Sequence, residues 1–163
     1  MAKLIDRQQL LSNDPWHFAD DEQAVTEYAI VPLKRWLEQR DDLLALAQQG
    51  KLGVHFNSDE TADQLGEDAA LMARISIDFP KFSDGRGYST ARLLRQSFGY
   101  QGELQASGDV LIDQLFYMLR CGFDRFALRD DQDIDDALAA FSTFSVSYQS
   151  DVNDPRPLFR RRS

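Results

Sequence analysis

Lys81, Asp84 and Arg86 lie close together in the run Pro80-Lys-Phe-Ser-Asp-Gly-Arg-Gly87, with glycine at 85 and 87. A short apolar run, Ile75 to Phe79, precedes this loop, and Tyr88 and Ser89 open an amphipathic helical pattern behind it. A glycine loop between a strand and a helix presents backbone N–H groups and the positive end of a helix dipole to an anion. Gly85 and Gly87 permit positive φ and close backbone approach, and Lys81 and Arg86 add charge of the right sign. The competing reading is a tight turn in which Asp84 pairs with Arg86 and the glycines only shape the chain. The loop is not a Walker sequence, because no Gly-Lys-Ser/Thr follows. Nor is it a Gly-x-Gly-x-x-Gly fingerprint, because Thr90 stands where the third glycine belongs.

Two further junctions have the same character. In Ser107-Gly-Asp109 the aspartate is first of all an N-cap for a helix around Leu111, and otherwise a ligand or base facing the 81–88 loop. Arg129-Asp-Asp131 closes a third junction. Ligands of open α/β sheets bind outside the carboxyl ends of the strands, so Lys81, Asp84, Arg86, Asp109 and Arg129 are candidates to converge there. Cys121 sits at a helix end beside Gly122, where nothing lowers a thiol pKa, and reads as structural. His17 and His55 have no cysteine or histidine at ligand spacing, so no metal site is expected. Trp16, Phe18 and the Phe141–Phe144 pair read as packing.

These loops need elements to position them. Strands are expected near Leu4-Ile5, at Tyr28–Val31, Leu52–Phe56, Arg74–Phe79, Glu103–Ala106, Phe126–Leu128 and Phe144–Tyr148. Helices fill the gaps. One starts with Pro32 as its first residue and ends before Gly50. The next is capped by Ser58 or Asp59, with Ala62, Leu65, Ala69 and Met72 as its apolar stripe. Others run from about Tyr88 to Gly99, from Leu111 to Gly122, and over Ile134–Phe141. Strict alternation implies parallel strands and right-handed crossovers. The fold class is therefore α/β with a mostly parallel sheet, either doubly wound or an incomplete (β/α) barrel, since a full barrel needs about 250 residues. A single domain spanning 1–163 is expected, with 1–23 as an N-terminal extension and 149–163 as a tail.

The formal net charge of −9 argues against nucleic-acid binding. The bases gather at Arg160–Arg162 and, in sequence, around the central loop as Lys81, Arg86, Arg92 and Arg95. Acid runs at Asp14–Glu22, Asp59–Asp68 and Asp130–Asp136 read as solvated faces or helix N-termini, or else as a docking surface for a basic partner. No run approaches a membrane span. Met1–Leu11 has no apolar signal region, and a lone cysteine excludes an internal disulfide. A cytoplasmic protein is expected.

The run Phe79-Pro-Lys-Phe-Ser-Asp-Gly-Arg-Gly-Tyr-Ser89, with Gly102-Glu-Leu, Gly108-Asp-Val-Leu-Ile-Asp-Gln-Leu115, Arg120-Cys-Gly-Phe-Asp124 and Asp154-Pro-Arg-Pro-Leu-Phe-Arg160, resembles the bacterial DUF934 family over about residues 28–160. The family is usually labelled an uncharacterised protein or an oxidoreductase of sulfite reduction, through gene neighbourhood with sulfate and sulfite assimilation enzymes. The resemblance implies a pathway and carries over no catalytic residue. One cysteine, no dinucleotide fingerprint and no haem motif lead us to expect no cofactor. The leading expectation is an accessory protein of sulfite reduction that binds an anion, or docks onto sulfite reductase or another pathway enzyme, at the strand ends; homo-oligomers are compatible with it. The alternatives are an enzyme using Asp84, Asp109 and Lys81 for acid/base or anion-directed chemistry, and a pure interaction module.

Overall fold

The computed structural model describes residues 3–143. Along the chain run β1 (Lys3–Ile5), β2 (His17–Phe18), β3 (Ala29–Pro32), α1 (Leu33–Gln48), β4 (Leu52–Phe56) and α2 (Ala62–Leu65). They continue as β5 (Arg74–Phe79), α3 (Arg86–Gln96), β6 (Glu103–Gly108), α4 (Leu115–Cys121), β7 (Arg125–Leu128) and α5 (Ile134–Thr143). The strand expected at Phe144–Tyr148 lies outside the described residues.

The strands form one sheet in the order β1-β7-β6-β5-β4-β3-β2. From β2 to β7 neighbours in space are neighbours in sequence, and every pair is parallel. A doubly wound sheet reverses its strand order, so that helices reach both faces. Here nothing reverses, and right-handed crossovers then place all the connecting helices on one face. The sheet curls into a half-barrel. Of the two α/β architectures expected, the incomplete barrel is the one observed.

The N-terminal stretch, which shows no period in the sequence, adds a strand at each edge. β1 pairs antiparallel with β7, and the two-residue β2 pairs with β3. Several boundaries also differ from expectation. Pro32 ends β3 with φ −56° and ψ 145°, so its ring sits at the N-cap and Leu33 is the first helical residue. Thr61, not Ser58 or Asp59, caps α2, and Gln64 reaches back to accept its N–H at 2.7 Å. At φ +57° Gly66 breaks that helix into a 3-10 turn over Gly66–Leu71. The apolar stripe survives the break: Ala62, Leu65, Ala69 and Met72 are all buried. Ile112–Gln114 is likewise a 3-10 turn, with α4 following. Asp109 therefore caps no helix.

The two faces of the sheet differ in chemistry. Val54 and Phe56 on β4, Ile75, Ile77 and Phe79 on β5, Leu104 and Ala106 on β6, and Phe126 on β7 are buried and alternate onto the helix face. Phe79 lies against Tyr88 of α3 and Phe126 against Phe141 of α5, each at a ring separation of 5.0 Å. The opposite, concave face carries His55, Arg74, Ser76, Asp78, Glu103, Gln105, Ser107 and Arg125. Barrel interiors are ordinarily filled with branched apolar side chains. This one is polar.

Candidate functional site: the carboxyl edge of the half-barrel

The carboxyl ends of β4 to β7 bring together the loops picked out from the sequence. Asp109 joins them: its carboxylate accepts the Phe82 N–H at 2.8 Å and a guanidinium N–H of Arg129 at 2.7 Å. Arg129 in turn grips Asp131 with two bonds of 2.7 and 2.8 Å. These bonds, the Arg129 contact foremost, hold the Asp109 carboxyl below its usual range. The Arg129 hydrogen bond likewise takes Asp131 down to about 2.

In the central loop Arg86 bonds both oxygens of Asp84, at 3.1 and 2.7 Å, and the hydroxyl of Ser58 at 3.0 Å. The Arg86 side chain brings Asp84 down to about 2. Arg86 nevertheless remains 60% exposed. Lys81 is exposed; its carbonyl accepts the Asp84 N–H at 2.9 Å, and its ammonium makes no hydrogen bond or ion pair with any described residue. Ser89 is exposed as well, whereas Tyr88 packs against Phe79 and Tyr117, and burial raises its hydroxyl to about 12.

The loop glycines do not act through positive φ. Gly85 sits at φ −88°, and Gly87 is absent from the positive-φ residues. A Cβ on Gly87 would lie 2.7 Å from the Phe79 ring and 3.1 Å from Ile77, so Gly87 lets α3 approach the sheet. The basic cluster seen in sequence also divides in space. Arg95, at the far end of α3, is spent on the carbonyls of Tyr100, Gly102 and Gly122.

One residue of this edge escaped the sequence reading. Asp78, at the end of β5 on the concave face, is half-buried, and its carboxylate has no hydrogen-bond or ion-pair partner among the described residues. Burial, and then the neighbouring Asp84, raise its carboxyl above the usual range. The signal lay in the alternation Arg74-Ile-Ser-Ile-Asp78 beside Glu103-Leu-Gln-Ala-Ser107. Polar residues with period two on adjacent strands mark a polar interior face.

Behind Asp78 the polar face is tightly bonded. Arg74, 1% exposed, holds Asp14 with two bonds of 2.9 Å, Glu103 at 3.1 Å and Gln105 at 3.1 Å, and lies 5.4 Å from the Trp16 ring centre. His55 bonds Ser76 at 2.9 Å and meets Phe18 edge-on at 5.3 Å. Burial takes the His55 imidazole down to about 4. His17 is exposed on β2 beside Thr26, and Cys121 is fully buried. Cavities among the described residues border the sheet. One of about 580 Å³ opens beside Asp131 between Lys3, Leu10 and Leu138. Another of about 390 Å³ lies at the amino end between Asn13, Glu103 and Arg125. Neither is lined by the central loop. Among the described residues no group of three or more His, Cys, Asp or Glu side chains is placed to hold a metal ion. No helix there is long and apolar enough to cross a membrane.

The fold and this edge define a class: an α/β half-barrel whose interior is polar and whose strand-end loops are tied together by ion pairs. The family described as bacterial protein of unknown function (DUF934) matches residues 53–159, which takes in the whole edge, and the chain belongs to that family. Comparison with curated proteins and with solved structures found no match.

Proposed function

We propose that this protein is an accessory component of assimilatory sulfite reduction that binds a small oxyanion at the carboxyl mouth of the half-barrel, with Lys81 as its charge partner. The observation that carries the reading is the state of the cations. Arg86 and Arg129 are already neutralised by Asp84, Asp109 and Asp131, while Lys81 stands beside them without a partner among the described residues. A pre-tied rim with one uncommitted ammonium is a preorganised site, because the loops need no ordering when the ligand arrives. The pathway rests on the family resemblance.

Acid/base catalysis by Asp84 and Asp109 finds less support, since their arginine partners keep both ionised at neutral pH, away from the pKa a proton shuttle needs. Calorimetric titration with sulfite, sulfate and phosphate tests the proposal. Saturable uptake that Lys81→Ala weakens about tenfold or more is the expected result, and no uptake of any of the three rejects it. Co-purification from a native host, with sulfite reductase as the expected companion, tests the pathway separately.

A further inference from the structure

A chain of hydrogen bonds crosses the concave face, and donor and acceptor chemistry fixes its direction at the Arg74 end. A guanidinium only donates, so the Gln105 atom 3.1 Å from Arg74 is its oxygen, and its amide nitrogen donates to Ser107 Oγ at 3.0 Å. Ser107 Oγ also lies 2.8 Å from Ser76 Oγ, which can take the Ser107 proton. In that arrangement the Ser76 proton goes to His55 Nδ1 at 2.9 Å. With Nδ1 accepting, the ring proton sits on Nε2, which has no partner among the described residues. A neutral imidazole thus offers one fixed N–H.

Asp78 lies one strand over and two residues beyond Ser76, the register partner of His55. It is a diagonal neighbour on the same face, at roughly 7–8 Å between Cα atoms. Its position is shaped by Gly108, which has φ +94° and where a Cβ would stand 2.6 Å from Asp78 Oδ1 and 2.5 Å from the Phe79 carbonyl oxygen. Among the described residues the floor of the mouth therefore holds an imidazole N–H donor, a carboxylate without a hydrogen-bond partner and, on the rim, an unpaired Lys81 ammonium.

We propose that this floor selects an oxyanion that still carries a proton: the ligand hydroxyl donates to Asp78, another ligand oxygen accepts from His55 Nε2–H, and the ligand charge faces Lys81. The inference rests on the mouth reading above and adds selectivity to it. Inorganic phosphate and sulfite keep a proton just below neutral pH. Sulfate has none, and would set an oxygen lone pair against the Asp78 carboxylate with no hydrogen between them.

The test is calorimetric titration of the full chain with inorganic phosphate, sulfite and sulfate, just below neutral pH and at equal ionic strength. It compares the wild type with Asp78→Asn and Lys81→Ala. The wild type is expected to hold phosphate and sulfite about ten- to a hundredfold tighter than sulfate, the worth of one charge-assisted hydrogen bond. Asp78→Asn, which can donate as well as accept, should close that gap while still binding; Lys81→Ala should weaken every anion that binds. Wild-type protein that takes sulfate as tightly as phosphate, with Lys81 still required, overturns the selectivity and leaves the mouth reading standing. Failure to bind any of the three overturns both. Nitrogen NMR of the wild type checks the floor without any variant: the Nδ1–H tautomer at His55 would overturn the hydrogen-bond direction on which the site depends.

Discussion

His55 is neutral because of where it sits. With burial taking it to about 4 from an ordinary 6.5, the unfolded chain binds more protons than the folded one between those two values. Stability from this residue is therefore complete above about pH 6.5 and is lost as pH falls toward 4, by up to about 3 kcal/mol. Urea titrations of wild type and His55→Gln across this range should show the wild type losing stability more steeply. Parallel curves would mean that His55 is protonated in the fold. Gly87 gives a second expectation. Alanine ordinarily favours a helix by up to about 1 kcal/mol over glycine, but here its methyl would meet the Phe79 ring, itself buried against Tyr88 and Phe123. Overpacking of this kind costs about 1–3 kcal/mol, so Gly87→Ala should lower the urea midpoint. An unchanged or raised midpoint would show that the Phe79 ring can yield.

At the scale of elements, the N-terminal extension is a structural part of the half-barrel. Asp14 holds a buried guanidinium, and Trp16 stacks beside it. Asp14→Ala removes one partner while Glu103 and Gln105 remain, so a loss of about 3 kcal/mol, at the low end for an orphaned buried charge, is expected in denaturant unfolding. A loss below about 0.5 kcal/mol would mark the pair as ornamental. This is also where sequence reading reaches its limit. The β-α units from Leu52 to Leu128 were legible, because strand runs and helix stripes repeat locally with turn residues between them. The role of residues 3–18 was not: it depends on contacts with Arg74 and β7, far along the chain, and no local period announces such pairings. The site was half legible for the same reason. Glycine and charge pointed to the loops, but Asp78 is marked only by comparing alternation on two strands. Asp109 looked like a cap because its true partners, Phe82 and Arg129, lie on other loops.

At the scale of the whole molecule, the unreversed strand order decides what each face can do. Helices crowd one side, leaving the concave side for polar residues and the carboxyl edge for loops, which is the division of labour of complete barrels. The same order has a consequence in time. Each parallel strand from β3 to β7 meets a partner made just before it, so the sheet can grow in step with synthesis through short loop closures. β1 is the exception. It is made before the other described strands, yet its partner, Phe126–Leu128, is the last of them. The earliest of these strands acts as a clasp fastened after the rest, and a clasp fastened last can be the first to open. Hydrogen exchange should find the amides of Leu4 and Ile5 opening by a smaller, local route than those of β5 and β6. Equal protection across the three strands would mean instead that the clasp and the centre of the sheet open as one.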